Sequence, residues 1–310
     1  MEQYYYEITM LKDNLHIDCF VHEILNFRYH WHPDEFELNI LLQGNQAFYR
    51  GNNVYALEED DVILIDPNMG HASYGQSSDA RALVIHFSSS VIKQFVKKGY
   101  TFSFSSCCSN KDDRNTRKYA RIRFHAAQLI TDLSGNSPYA QFAAKANMEM
   151  LITNLLYLFD PQVVPTTMDM DEETQKNLRR TLKFIETNYA EKITLEDIAN
   201  FTQYNRTYLS TMFKKYIGIN FYDYLMRVRF QHALFDLNKT DKNLTDIALS
   251  NGFSDLKSFN KMFKKILHKL PSEYRNELDV SKTADAYDTR KYISASDPVV
   301  NKKLKEYMQM

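Results

Sequence analysis

The chain has 310 residues, 44% hydrophobic and 25% charged, with a formal net charge of −1. That length allows two ordinary globular domains, and the even composition excludes a fibrous or largely disordered protein. Three cysteines, Cys19, Cys107 and Cys108, are too few for a disulfide framework, and the adjacent pair cannot bond in relaxed geometry.

Free thiols suit a reducing cytoplasm. The N-terminal MEQYYYEITM lacks the basic segment and apolar run of a signal peptide. The most apolar stretch, Met148 to Phe159, is interrupted by Thr153 and Asn154 and is too short to span a bilayer. A soluble cytoplasmic protein without membrane contact is expected. The net charge hides a division: residues 174–278 hold 18 Lys and Arg against 11 Asp and Glu, a balance of +7, and the remainder stands at −8. A basic module on an acidic body is the pattern of a chain of which one part meets a polyanion.

Taken in order, residues 1–30 alternate apolar and polar side chains in places (Ile17, Cys19, Val21) and predict short strands. Phe36 to Phe48 predicts strand, turn at Gly44-Asn45, strand; Gly51-Asn52-Asn53 is a second hairpin signal. Val62 to Ile65 and Arg81 to Phe87 predict further strands, so the front of the chain reads as a small β-barrel or sandwich. Residues 89–118 read as a solvated loop. An apolar stripe through Tyr119, Ile122, Ala126, Leu129, Ile130 and Leu133 predicts a helix. A second helix from about Tyr139 to Phe159 is apolar over much of its circumference and needs more than one packing partner. Ile122, Leu129, Leu133, Met150, Leu151 and Leu155 are therefore candidates for a homodimer seam. The alternative is packing on their own barrel. Residues 161–173, with Pro165 and an acidic run, read as a linker.

The basic module contains a duplication. Thr194-Leu-Glu-Asp197 and Asn243-Leu-Thr-Asp246 are matching helix starts, each leading to Ile-Ala. Asn205 and Asp255 are expected to cap the second helices. Leu209, Met212 and Phe213 align with Phe259, Met262 and Phe263 as inward residues, and both copies continue Phe-Lys-Lys. Each copy reads as a helix-turn-helix whose second helix can enter a DNA major groove. The outward faces, Arg206, Thr207, Ser210 and Thr211 in the first copy and Leu256, Lys257, Asn260 and Lys261 in the second, suit base edges. Lys214, Lys215, Lys264 and Lys265 are better placed for phosphates. A helix over Asn220 to Leu237 joins the copies and would fix their separation. One copy alone could be a solvated polar face; two in register point to double-stranded DNA.

Ile247-Ala248, Gly252-Phe253-Ser254-Asp255, Phe259, Phe263-Lys264-Lys265 and Pro271-Ser-Glu-Tyr274-Arg275 resemble the hallmark of the AraC/XylS family of bacterial transcription regulators over about 100 residues. Two positions depart from it: His268 stands where Gly is usual, and Leu270 where Ser or Thr is usual. Phe221 in the first copy replaces a common Pro. The resemblance implies an α+β multidomain protein. It would have an N-terminal cupin-like β-barrel with two dimerisation helices (1–160), the linker (161–173) and an all-α domain of two helix-turn-helix units joined by a linker helix (174–278). The tail (279–310) lies beyond it.

The resemblance also implies a homodimeric activator that works with RNA polymerase and answers to a small effector, commonly a sugar from a carbohydrate-utilisation pathway. Effector candidates are His30, Trp31, His32, Glu37, Tyr49, His71, Tyr74 and His86. His30, His32, Glu37 and His71 also resemble the metal set of cupin enzymes; related regulators keep such histidines without metal, so neither a metal nor a cofactor is expected. The chain is expected not to be an enzyme. The alternatives are a metal-dependent cupin enzyme tethered to DNA, and a ligand-independent regulator of stress or virulence genes.

Overall fold

The computed structural model describes residues 17–309 apart from 25, 31, 33, 52, 78, 136, 166–171 and 278–291. Strand β1 (Ile17–Glu23) is followed by β2 (Asn26–His30), β3 (Glu35–Gln43), β4 (Asn45–Arg50), β5 (Asn53–Glu58), β6 (Val62–Ile65), β7 (His71–Gly75) and β8 (Arg81–Ser88). A short α1 (Ser90–Lys93), strand β9 (Tyr100–Ser103), helices α2 (Arg117–Ser134) and α3 (Ala140–Leu158), and β10 (Gln162–Pro165) complete this part. The helical part comprises α4 (Glu172–Asn188), α5 (Leu195–Thr202), α6 (Arg206–Met212), α7 (Phe221–Lys239), α8 (Leu244–Ser250), α9 (Leu256–Leu267) and α10 (Pro271–Glu277). Strand β11 (Tyr292–Ile293) and helix α11 (Pro298–Met308) end the chain.

The β-rich domain is built from two facing sheets, one of five strands in the order β11-β1-β8-β3-β6 and one of four in the order β2-β7-β4-β5. Successive side chains of a strand point to opposite faces, and here both faces of the inner strands are covered, whereas the edge strand β5 is largely exposed. In β3, Phe36, Leu38, Ile40 and Leu42 face α2 and α3, whereas Leu41 packs between the sheets and Glu37 and Asn39 line a cavity there. In the four-stranded sheet, Phe48 and His71 point between the sheets with their rings stacked, and Ala47, Tyr49, Ala72 and Tyr74 join the core of the helical domain. The molecule is thus layered: α2 and α3, five strands, four strands, helical domain.

Several expectations change. Ile122, Leu129, Leu151 and Leu155 are at most 1% exposed, and Leu133 packs on the same core, so these side chains are occupied within their own chain and are not free to form a dimer seam. The stripe left open on α3 is Phe142 (80% exposed), Met150 (40%) and Tyr157 (84%). The expected loop 89–118 is tied down in part. Asp66 accepts from Ser103 Oγ and Phe104 N, and Asp61 accepts from Ser109 Oγ at 2.7 Å. The expected linker begins as β10, which pairs antiparallel with β9; residues 166–171 of it lie outside the described residues. Residues 292–309 of the tail return to the β-rich domain.

In the helical domain the predicted caps form. Thr194 and Asp197 make a reciprocal capping box, and Asn205, Asn243 and Asp255 each accept a hydrogen bond from the backbone N–H three residues on. Gly252, in the second turn, has a φ of +79°, and a Cβ there would sit 2.8 Å from the Tyr189 carbonyl oxygen, so only glycine fits. Helix α9 ends at His268 with a φ of 57°, where the first copy uses Gly218 at 79°. A non-glycine residue in the left-handed region is strained, so His268→Gly should stabilise the chain by about 1 kcal/mol, read as a higher midpoint in urea denaturation.

Candidate DNA-reading faces and effector cavity

Helix α6 is held by Leu209 and Met212, which are buried, and continues into a π-helical turn, Phe213–Ile217. Arg206, Thr207, Thr211, Lys214 and Lys215 are exposed on it, and Ser210 is half-buried. Tyr208, 37% exposed beside Tyr204, shares this surface and was missed in the sequence because an aromatic at that position reads as core. Helix α9 is anchored by Phe259, Met262, Phe263, Ile266 and Leu267. Lys257, Lys261, Lys264 and Lys265 are exposed on it. Leu256 instead packs partly on the domain core, and Asn260 is half-buried with its Oδ1 enclosed and lacking a hydrogen-bond donor. The second face therefore presents mainly two cationic side chains where the sequence suggested four mixed ones. Helix α7, between the copies, buries Leu225, Val228, Phe230, Leu234 and Leu237, as a rigid spacer requires.

The second site lies between the sheets. Four imidazoles converge on one carboxylate oxygen: Glu37 Oε2 is 2.9 Å from His71 Nε2, 3.0 Å from His86 Nε2, 3.4 Å from His32 Nε2 and 3.9 Å from His30 Nε2. Glu37 and His86 sit opposite each other in the β3–β8 register, and His30 opposite His71 in β2–β7, so the two sheets bring the pairs together. Trp31 lies outside the described residues. Tyr49 and Tyr74 are not brought to this cavity. They occupy the other face of the same sheet, where the Tyr49 hydroxyl donates to the Lys265 carbonyl at 3.1 Å and Tyr74 packs edge-on against Phe230. Phe20, His22, Asn39, Ser73 and Val84 complete the lining, none of them singled out by motif.

His71 is the informative ligand. Its Nδ1 stands 3.0 Å from the Met69 carbonyl, which can only accept, so Nδ1 carries the proton. A neutral ring would then turn the bare Nε2 lone pair toward a carboxylate. The contact is favourable only when His71 is an imidazolium, or when a cation lies between Nε2 and Glu37. Burial tends to raise the Glu37 carboxyl, but the charge and hydrogen bond of His71, with the His30 and His32 rings beside it, outweigh it and hold it well below the usual range. Burial, reinforced by the His71 charge, pushes His30 down to about 3, so that ring stays neutral. Ligand atoms of His30, His32, Glu37 and His71 all lie within 4.8 Å of one another. This donor set, with one ring held by a backbone carbonyl, fits a divalent transition ion. The free space is about 10 Å³, enough for a single ion or water molecule. Burial pushes the Cys19 and Cys107 thiols up, and Cys108 up to about 11, which favours the thiol over the thiolate form in all three.

Residues 23–152 match the family model of the AraC-like ligand binding domain, and residues 198–277 match that of a helix-turn-helix domain. An HTH-type transcriptional regulator of Staphylococcus aureus is 23% identical over 242 residues, 77% of this chain and 31% of that protein. The chain thus spans about a third of the length of these relatives. The Msm operon regulatory protein of Streptococcus mutans is 21% identical over 283 residues, 88% of this chain and 97% of that protein. Among solved structures, apo ToxT from Vibrio cholerae aligns over 86% of this chain and 99% of its own, at 13% identity and a TM-score of 0.38. No helix among the described residues is long and apolar enough to cross a membrane.

Proposed function

From the premise that the chain belongs to the AraC/XylS family of DNA-binding transcription regulators, with a ligand-binding domain ahead of its helix-turn-helix domain, we propose that a small effector held at the Glu37 cavity controls its DNA binding. The observation that carries this is the two-sided four-stranded sheet. One face of β4 and β7 lines or backs the cavity through Phe48, His71 and Ser73; the other meets α7 and α9 through Tyr49 and Tyr74. A guest that shifts those strands acts directly on the helix that spaces the two readers. Base reading is assigned to Arg206, Thr207, Ser210, Thr211, Lys257 and Lys261, with Leu256 and Asn260 in supporting positions, and phosphate contact to Lys214, Lys215, Lys264 and Lys265.

Activation of carbohydrate-utilisation genes together with RNA polymerase follows from the family resemblance. A sugar would require the cavity walls to part, because drug-sized and sugar-sized guests occupy hundreds of Å³. A second reading, favoured by the His71 geometry, makes the effector a divalent transition ion; His30, His32, Glu37 and His71 would hold it. Both matched models and the relatives are those of regulators, so the ion is read as a signal and not as a catalyst. Calorimetric titration of the full chain with zinc, nickel and manganese, beside a panel of sugars, decides between them. Stoichiometric ion binding lost in His71→Ala is the outcome for a metal effector. A sugar that binds the ion-free chain would remove it.

Homodimerisation is proposed through the open stripe of α3 and not through its buried side. A chain carrying Phe142→Glu and Tyr157→Glu should run as a monomer in light scattering, whereas an undiminished dimer would place the seam elsewhere.

A further inference from the structure

Residues 292–309 have no part in the reading above, yet the structure gives them specific contacts. Strand β11 extends the edge of the five-stranded sheet, pairing Ile293 with Val21 and Tyr292 with His22. Helix α11 is capped by Asp297 and lies along α2, burying Val300, Leu304 and Tyr307 at 1%, 1% and 0% exposure. Asp297 also pairs with Arg81 at 2.9 Å, Lys303 Nζ reaches Glu59 at 2.6 Å and Asp60 at 2.8 Å, and the Tyr307 hydroxyl donates to Asp60 at 2.6 Å.

This segment follows the helical domain directly. Helix α10 packs on α7, and residues 278–291 alone separate it from β11. On the other side of the helical domain, β10 is fixed to β9 just before α4. The helical domain is thus tied to the effector domain at both ends. Two tethers hold a docked state at a higher local concentration than one. The docking surface is of the kind that gains from it. Among the described residues its polar contacts include Tyr49 to the Lys265 carbonyl, Arg227 to the Gly51 carbonyl at 2.9 Å and Lys269 to the Gln76 carbonyl at 3.5 Å, around an apolar patch of Ala47, Tyr49, Ala72 and Tyr74. Interfaces of this sort between domains open readily.

The segment also touches the cavity. The Tyr292 ring meets Phe20 edge-on at 5.2 Å, and Phe20 and His22 line the cavity, Phe20 lying 5.7 Å from His86. We propose that residues 292–309 form an intramolecular clamp that keeps the helical domain seated on the effector domain and links that seating to the wall of the histidine cavity. The clamp stands whatever the cavity holds; its link to the cavity rests on the effector reading.

Hydrogen exchange of the full chain, without DNA or added ligand, tests it in the wild type, in Asp297→Ala/Lys303→Ala and in Tyr292→Ala. Loosening α11 should raise exchange about tenfold in α11, in the turn at 49–51 and in α7 around Arg227, with β3 unchanged as the control for folding. Tyr292→Ala should raise it at 20–22 as well. Faster exchange in α11 with the turn and α7 at wild-type rates overturns the clamp. If the double variant leaves α11 protected, the chain ending at 291 gives the same comparison, and an unaltered turn and α7 there overturn the clamp equally. Tyr292→Ala that frees α7 but leaves 20–22 unchanged overturns the link to the cavity alone. The ion and sugar titration uses none of these variants, so failure of the effector reading is seen separately.

Discussion

Arg206→Ala is expected to cost about 1–3 kcal/mol of affinity for a specific site and to relax base preference in one part of that site; Lys257→Ala is expected to do the same in another part. Both side chains sit in the first turn of the second helix of a helix-turn-helix unit, exposed, with the helix held from beneath by buried Leu209 or Phe259. Neither is engaged by a carboxylate in the ion pairs of the described residues, so neither must leave a partner to reach a base. Lys264→Ala is the control. It lies further along α9, so its loss should weaken all sequences alike and lower the slope of log affinity against log salt by about 0.9. If Arg206→Ala and Lys257→Ala both bind the specific site as the wild type does, the reading faces are wrongly assigned.

The second large effect concerns the buried carboxylate. Glu37→Gln removes the carboxylate on which four imidazoles converge and leaves the positive charge at His71 Nε2, imidazolium or bound cation, without its counter-charge. Removing one partner of a buried pair costs about 3–5 kcal/mol, to be read from chemical denaturation at pH 7. The wild type should show a related acid sensitivity. The folded state holds His30 neutral down to about 3, against 6.5 when unfolded, so between those values the unfolded chain binds more protons. Stability then falls as pH falls through the window, by up to about 1.4 kcal/mol per pH unit. The depressed Glu37 carboxyl acts in the same direction below its ordinary value of 4.5. A denaturation midpoint that stays flat from pH 6.5 to 4.5 would contradict the neutral His30.

The helix-turn-helix pair was legible because each copy carries several independent local signals: caps at Asn205 and Asp255, inward apolar spacing, and a glycine turn at Gly252. The strands were legible from alternation and turns, and the His30–His71 constellation from its resemblance to the metal set of cupin enzymes. Alternation failed at Tyr49 and Tyr74 for a physical reason. It tells which residues share a face, but β4 and β7 are buried on both faces, and nothing local distinguishes the face toward the cavity from the face toward the helices. The same ambiguity misplaced the expected dimer residues other than Met150: an all-round apolar helix shows that it has two partners without showing which is its own chain. Arg123 lies on the apolar stripe of α2, buried at 1%, because the Asp60 and Arg114 carbonyls accept its protons; sequence periodicity has no place for it. The tail did carry a signal. Asp297-Pro298 is a helix start, and Val300, Leu304 and Tyr307 form one stripe, but its docking partner is more than 150 residues away in sequence.

The most direct test of the two-part reader is selection of bound sequences by the full chain from a random duplex library. The expected result is an asymmetric site with two unlike segments centred about one helical turn, ~34 Å, apart. One of them should lose information in Arg206→Ala and the other in Lys257→Ala. A single contiguous segment that is insensitive to one of the two substitutions would contradict the account.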